Sequence, residues 1–186
     1  VQLRLQIHLN LHTINLKASF QPLLDYSNGL AIMEQNILGD RMLALLQRVN
    51  YAKVVVDNQV TGSIEKGILA FIGLEKGDDE AKCKKMFDKI LKYRMFYDEN
   101  DKMNLNVEQV NGNVLLVSQF TLAANTNAGN RPSFDPAMAP NEAKELYAKF
   151  TAYAHQKLPS VQEGIFAADM KVNLENDGPV TFMLKI

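Results

Sequence analysis

Asn176-Asp177-Gly178-Pro179-Val180-Thr181 interrupts an alternating pattern in which Met170, Val172 and Leu174 come before it and Val180, Phe182, Leu184 and Ile186 close it. Alternation of this kind marks a half-buried strand. A proline does not belong inside one, because it has no N–H for the ladder and fixes its own φ. Gly178, in front of it, reaches backbone angles closed to other residues. The segment predicts two strands joined at a sharp corner, with backbone carbonyls turned outward instead of paired. Asn-Asp-Gly-Pro is also ordinary turn chemistry, so a plain hairpin turn fits the same residues.

Working back from the corner, Pro140 and Glu142 open a helix that runs to about Leu158, with Ala143, Leu146, Tyr147, Phe150, Tyr153 and Ala154 facing inward. A polar loop, 123–135, rich in Asn, Gly and Pro, precedes it; loops of that length inside a compact domain usually carry function. Strands are expected over Val114–Leu122, Met103–Val107 and Tyr93–Tyr97. Asp78-Asp79 caps a helix to about Lys92, its inner face formed by Ala81, Met86, Phe87, Ile90 and Leu91. The apolar run Ile68–Leu74 has the length of a strand buried on both faces. Val60–Ile64, Tyr51–Val56 and Met42–Val49 complete the strands, with a turn at Asp57-Asn58-Gln59. The predicted class is α+β: a mainly antiparallel, rolled or barrel-like sheet with two helices.

One domain is the natural reading of 186 residues with 47% hydrophobic content. Residues 42–186 form it, and residues 1–41 read as an N-terminal extension outside it. Val1–His12 alternates as a strand does, which argues against His8 and His12 meeting on a helix as metal ligands. The formal charge is −1, from 20 basic and 21 acidic residues, so no global basic field attracts a nucleic-acid duplex and any such partner is gripped locally. The single cysteine, Cys83, excludes an internal disulfide and a multi-cysteine metal site, which suits a reducing, cytoplasmic setting. The neighbouring lysines Lys82, Lys84 and Lys85 act to lower the pKa of its thiol, whereas a place inside the helix packing makes it structural. No apolar run approaches the ~18 residues that span a bilayer.

Chemistry is hard to place. The apolar strand ending in Ser118-Gln119-Phe120-Thr121 delivers hydroxyl and amide groups to the mouth of the sheet beside the polar loop. From Met42 onward His155 is the one histidine, so a Ser-His-Asp relay depends on it alone. Carboxylates at 78–80 and 98–101 sit in turns and helix starts, where capping explains them. No metal or cofactor signature is present. Catalysis must use hydroxyls, backbone dipoles or groups on the substrate.

Six stretches now stand in order: Met42–Val49, Met103-Asn104-Leu105-Asn106, Ser118–Leu122, Arg131-Pro132-Ser133-Phe134, Phe166–Met170 and Asn176–Thr181. Together they resemble the D-aminoacyl-tRNA deacylases, over the whole of Met42–Ile186; the extension departs from that family's pattern. The resemblance implies a homodimer with shared sites, acting on aminoacyl-tRNA in the cytoplasm without a cofactor or metal. It gives Ser118, Gln119, Phe120 and Thr121 the pocket of one chain, and Gly178 and Pro179 of the other chain, joined by a cis bond, the carbonyls that project into it. Arg48 matches the arginine that braces this motif. Ala143, Phe166 and Met170 match positions lining the pocket for the 3′-terminal adenosine.

Fixed carbonyls that hold the α-amine of an ester make an L side chain collide with protein, a selection that needs no side chain at the selecting position. Glycine has nothing to collide, so glycyl-tRNA is an expected substrate as well. Backbone N–H groups near Phe120 and Thr121 are candidate oxyanion donors, an effect of about 3 kcal/mol per donor in other hydrolases. The family reading makes the tRNA's 2′-hydroxyl the activator of water; Thr121 as covalent nucleophile is the rival. Two other readings remain: a related deacylase with a trans Gly178–Pro179 bond acting on mischarged L-aminoacyl-tRNA, and a non-catalytic dimer that binds nucleotide-like ligands.

Overall fold

The structure, a computed structural model, describes residues 42–127 and 129–186. The expectations for residues 1–41, including the Val1–His12 strand and His8 and His12, lie outside the described residues.

Strand β1 (Leu43–Val56) is one element where two were expected. It carries β8 (Lys171–Lys185) along one edge, while β3 (Gly67–Gly73) and β2 (Gln59–Ile64) share the other. Its continuity conceals an extra residue, since Val49 pairs with Asn176 but Tyr51 with Glu175. Such a bulge reverses which face the following residues occupy. Ala44 and Leu46 accordingly join the cluster under the helices, whereas Ala52 and Val54 of the same parity join the second cluster, inside the roll. Asp57 and Asn58, at φ 48° and 64°, make the two-residue turn into β2.

The run over Ile68–Leu74 is buried on both faces as expected: Ile68, Ala70 and Ile72 join the helix-side cluster, Leu69 the other. Beyond β3 the sheet continues through β6 (Asn113–Ser118) and β7 (Gln162–Glu163), both pairings parallel, a departure from the otherwise antiparallel plan. The connection from β3 to β6 carries a helix, which is what a parallel crossover needs. Gly62 of β2 lies so close to β7 that a Cβ there would stand 2.6 Å from the Glu163 carbonyl oxygen. That approach nearly closes the sheet, giving the barrel-like α+β fold read from the sequence.

Helices α1 (Glu80–Lys92) and α2 (Pro140–Lys157) cover one face. Asp79 caps α1 by accepting the Lys82 N–H at 2.8 Å, and Pro140 opens α2. The rings of Phe87 and Phe150 meet nearly perpendicular, at a centroid distance of 5.9 Å. Ala81, expected inward, is exposed, and Cys83 holds the inner position instead. Two short strands, β4 (Phe96–Tyr97) and β5 (Met103–Leu105), replace the longer ones expected. The turn between them takes over the backbone: the Asp98 carboxylate accepts the N–H groups of Lys102 and Asn100 and the Asn104 amide, which lowers its pKa.

Burial, and then the acids Asp78, Asp79 and Glu80, push the Cys83 thiol up to about 12, which outweighs the neighbouring lysines. At pH 8 in native buffer the thiol should therefore show no reaction with an aromatic disulfide reagent, and in denaturant it should react fully. Rapid native labelling would show that Cys83 is reachable.

Candidate active site

Val114–Leu122 was expected as one strand, yet β6 stops at Ser118, where its ladder with β3 ends at the Ile72–Ser118 pair. The Gln119 N–H donates to the Ile72 carbonyl at 2.7 Å, and Phe120–Ala123 then winds into a single 3₁₀ turn. Within that turn the N–H of Leu122 goes to the Gln119 carbonyl, and that of Ala124 to Thr121. The N–H groups of Phe120 and Thr121 have no backbone acceptor among the described residues, as the opening of a helical turn dictates. The Gln119 amide donates to the Thr121 hydroxyl at 2.6 Å.

Ser118, Gln119 and Phe120 line a cleft of about 680 Å³. Its opposite wall comes from Met138, Pro140 and Ala143 at the start of α2, and its floor from Phe166, Met170 and Val172. Phe120 and Phe134 stand at the rim, 59% and 42% exposed, with ring centroids 5.1 Å apart. Phe166 is backed by Tyr147 at 5.5 Å. Ala167, with φ at 61°, turns the chain through the cleft wall. The charged residue among the lining is Asp169, which is paired with Lys171 at 2.8 Å. His155 is not among the lining residues; its Nε2 lies 3.3 Å from Glu163. The cleft is therefore apolar with a polar lip, and no side chain of its wall is an unengaged general base.

The second element lies elsewhere on the sheet. Gln47 pairs with Thr181 and Val49 with Asn176, so Arg48 alone faces the whole of Asp177–Val180. β8 does not turn back here, as the hairpin alternative required. It bulges outward and rejoins β1 in the same direction. Gly178 has φ 135°, in the region that glycine favours, and the Gly178–Pro179 bond is cis, where one alternative reading called for trans. Asn176 clamps the base of the bulge by accepting the Val180 N–H at 2.7 Å and donating to the Thr181 hydroxyl at 3.0 Å.

Arg48, 2% exposed, holds the bulge from beneath. Its Nε donates to the Asp177 carbonyl at 3.1 Å and lies 2.9 Å from the Asp177 carboxylate. Its Nη1 donates to the Met95 carbonyl at 2.9 Å, and the guanidinium rests 4.6 Å above the centre of the Tyr97 ring. Gly178 and Pro179 remain exposed.

The structure thus brings together Ser118, Gln119, Phe120, Ala143, Phe166 and Met170 in one cleft, with Thr121 beside it. It does not bring Gly178, Pro179 or Arg48 into that cleft within one chain. The sequence reading gave no place in the site to Met138 or to Val172, which it used only in a strand pattern; the polar loop before Pro140 was the available signal for the Met138 wall.

The sequence profile of the D-Tyr-tRNA(Tyr) deacylase family matches residues 45–185. A D-aminoacyl-tRNA deacylase of Acinetobacter baumannii (strain ACICU) is 59% identical over 145 residues, which cover 78% of this chain and 99% of that protein. One from Photorhabdus laumondii subsp. laumondii is 54% identical over 145 residues, covering 78% and 100%. Among solved structures, the c-Myc DNA Unwinding Element Binding Protein superimposes with a TM-score of 0.72 at 34% identity, over 76% of this chain and 97% of that one. A probable eukaryotic D-amino acid tRNA deacylase gives 0.67 at 17% identity, over 79% and 100%, a likeness of fold.

Replacing Arg48 by alanine strands the Met95 carbonyl and the Asp177 carboxylate, and should cost on the order of 2 kcal/mol in urea unfolding. Lysine should recover only part of this, because an ammonium cannot span the same fork of acceptors. Full recovery with lysine would show that charge alone braces the bulge.

Proposed function

The chain belongs to the D-Tyr-tRNA(Tyr) deacylase family, hydrolases of aminoacyl-tRNA esters, and from that premise we propose how its residues release a D-amino acid while sparing L esters. The observation that carries the reading is the cleft at the end of β6: apolar walls of a size for one nucleoside, with a lip of amide and hydroxyl groups. The 3′-terminal adenosine lies against Ala143, Phe166 and Met170, which places the ester at Ser118, Gln119, Phe120 and Thr121. The two N–H groups left over at Phe120 and Thr121 then receive the oxyanion.

The chiral filter is supplied by a second copy of the chain. Gly178 and Pro179 are exposed on a bulge that Arg48 and Asn176 hold rigid, so their carbonyls suit insertion into a partner's cleft. Carbonyls fixed there accept the α-ammonium only when the side chain points away from the backbone, which admits D-aminoacyl and glycyl esters and excludes L. This is editing by collision, applied to a product that binding alone does not reject.

Water is activated by the substrate's own 2′-hydroxyl. Asp169 is engaged by Lys171, and the Thr121 oxygen already accepts from Gln119, which leaves it without a base of its own. Among the described residues no helix is long and apolar enough to cross a membrane. A cytoplasmic setting, where aminoacyl-tRNA is found, completes the proposal.

Incubation with D-tyrosyl-tRNA and L-tyrosyl-tRNA should give hydrolysis of the D ester alone; equal rates, or none, overturn the reading. Thr121→Ala should retain measurable hydrolysis, lowered by about tenfold or less, since the substitution removes only the acceptor of the Gln119 amide. Complete loss with an unchanged circular-dichroism spectrum would make Thr121 the nucleophile.

A further inference from the structure

A second cleft lies away from the first. Lys85, Lys89 and Lys92 of α1 and Lys185 at the end of β8 line a concavity of about 770 Å³. The three helical lysines stand at i, i+4 and i+7, which places them on one stripe about 10 Å long. All four are exposed, and none is ion-paired among the described residues. Other lysines of the same helix are engaged: Lys84 meets Glu80 at 2.8 Å, and Lys82 meets Asp78 at 3.3 Å. The acidic side chain lining the cleft, Asp88, accepts the Tyr153 hydroxyl at 2.9 Å and is thereby directed toward α2.

A solvated helix face is the ordinary fate of surface lysines, but such faces usually interleave both signs. Here like charges converge from two separate elements in a chain whose net charge is −1. Their place in the sheet gives the convergence a direction. Lys185 pairs with Leu43, Leu43 with Gly73, and the adjacent Ile72 with Ser118. Lys185 and the lip of the active cleft therefore share one end of the sheet, three strand spacings apart, or about 14 Å. From Lys185 the stripe runs along α1 toward Lys92. A strand leaving the active cleft along that end of the sheet would come to Lys185 first.

We infer that Lys85, Lys89, Lys92 and Lys185 form the binding track for the phosphodiester backbone of the substrate tRNA near its 3′ end. The inference rests on the deacylase reading for the direction of the strand, and on the lysine geometry for the track itself. It supplies a local grip where the whole molecule offers no attractive field. Each ammonium displaces a counterion from the RNA, so affinity gained this way declines with salt.

The test replaces all four lysines by alanine, with a four-arginine variant as control, and has two arms. In the first, fluorescence anisotropy with uncharged tRNA should show at least tenfold weaker binding for the alanine variant at low salt. The slope of log affinity against log salt should become shallower by about 0.7 for each single-strand phosphate that no longer meets an ammonium. Arginine should restore both. Unchanged affinity and slope overturn the track. In the second arm, kcat/KM for D-aminoacyl-tRNA should fall about tenfold through KM, while hydrolysis of the corresponding aminoacyl-adenosine stays the same. An equal loss on both substrates places the effect in the active cleft and overturns the proposal. If the unaltered protein cleaves neither ester, the deacylase account of the cleft fails, and the anisotropy arm still decides the track.

Discussion

A guanidinium with almost no access to water must be met by acceptors on every side, because an unpaired charge in that position costs several kcal/mol. Arg48 satisfies this demand with the backbone of the β8 bulge, the Asp177 carboxylate, the Met95 carbonyl and the face of Tyr97. Those acceptors come from segments far apart in the chain, and only one arrangement presents them together. The bulge is held by its register against β1, by the Asn176 clamp above and by the arginine beneath. Main-chain oxygens on such a support keep fixed positions in a way that those of a mobile loop do not.

The cleft at the end of β6 depends on a different constraint, the end of a ladder. Once β3 has no further residue to offer, the backbone beyond Ser118 must satisfy itself, and a tight 3₁₀ turn does so while leaving its first N–H groups pointing outward. Walls from α2 and the 166–172 segment then enclose an apolar volume beside those donors. The Phe120 and Thr121 N–H groups and the Gly178–Pro179 bulge sit on separate parts of one sheet. In the proposed mechanism that separation is bridged by a second copy of the chain, whose bulge would offer what the first copy's cleft lacks.

Some elements were legible because their cause is local. The capping by Asp79, the opening of α2 at Pro140 and the turn at Asp57-Asn58 each follow from residues within a few positions of one another. The run Ile68–Leu74 announced a strand covered on both faces by composition alone. The extra residue in β1 left no such mark: Val49, Asn50 and Tyr51 look like a break between strands, and only pairing with β8 shows that the ladder passes through it. The parallel order of β3, β6 and β7 was likewise hidden, because strand direction depends on how the intervening chain crosses over.

By itself the sequence determined the class of fold, through periodicity, and the family, through motifs in fixed order; the resemblance to that family implied the residues that meet at the lip and floor of the cleft. Only the tertiary structure decided that Ser118 ends its strand, that Arg48 lies buried beneath the bulge, and that Gly178 and Pro179 stand apart from the cleft of their own chain. The reason is one of range. Propensity and capping act between neighbours along the chain, whereas register, burial and the meeting of distant carbonyls are settled by which surfaces pack against each other.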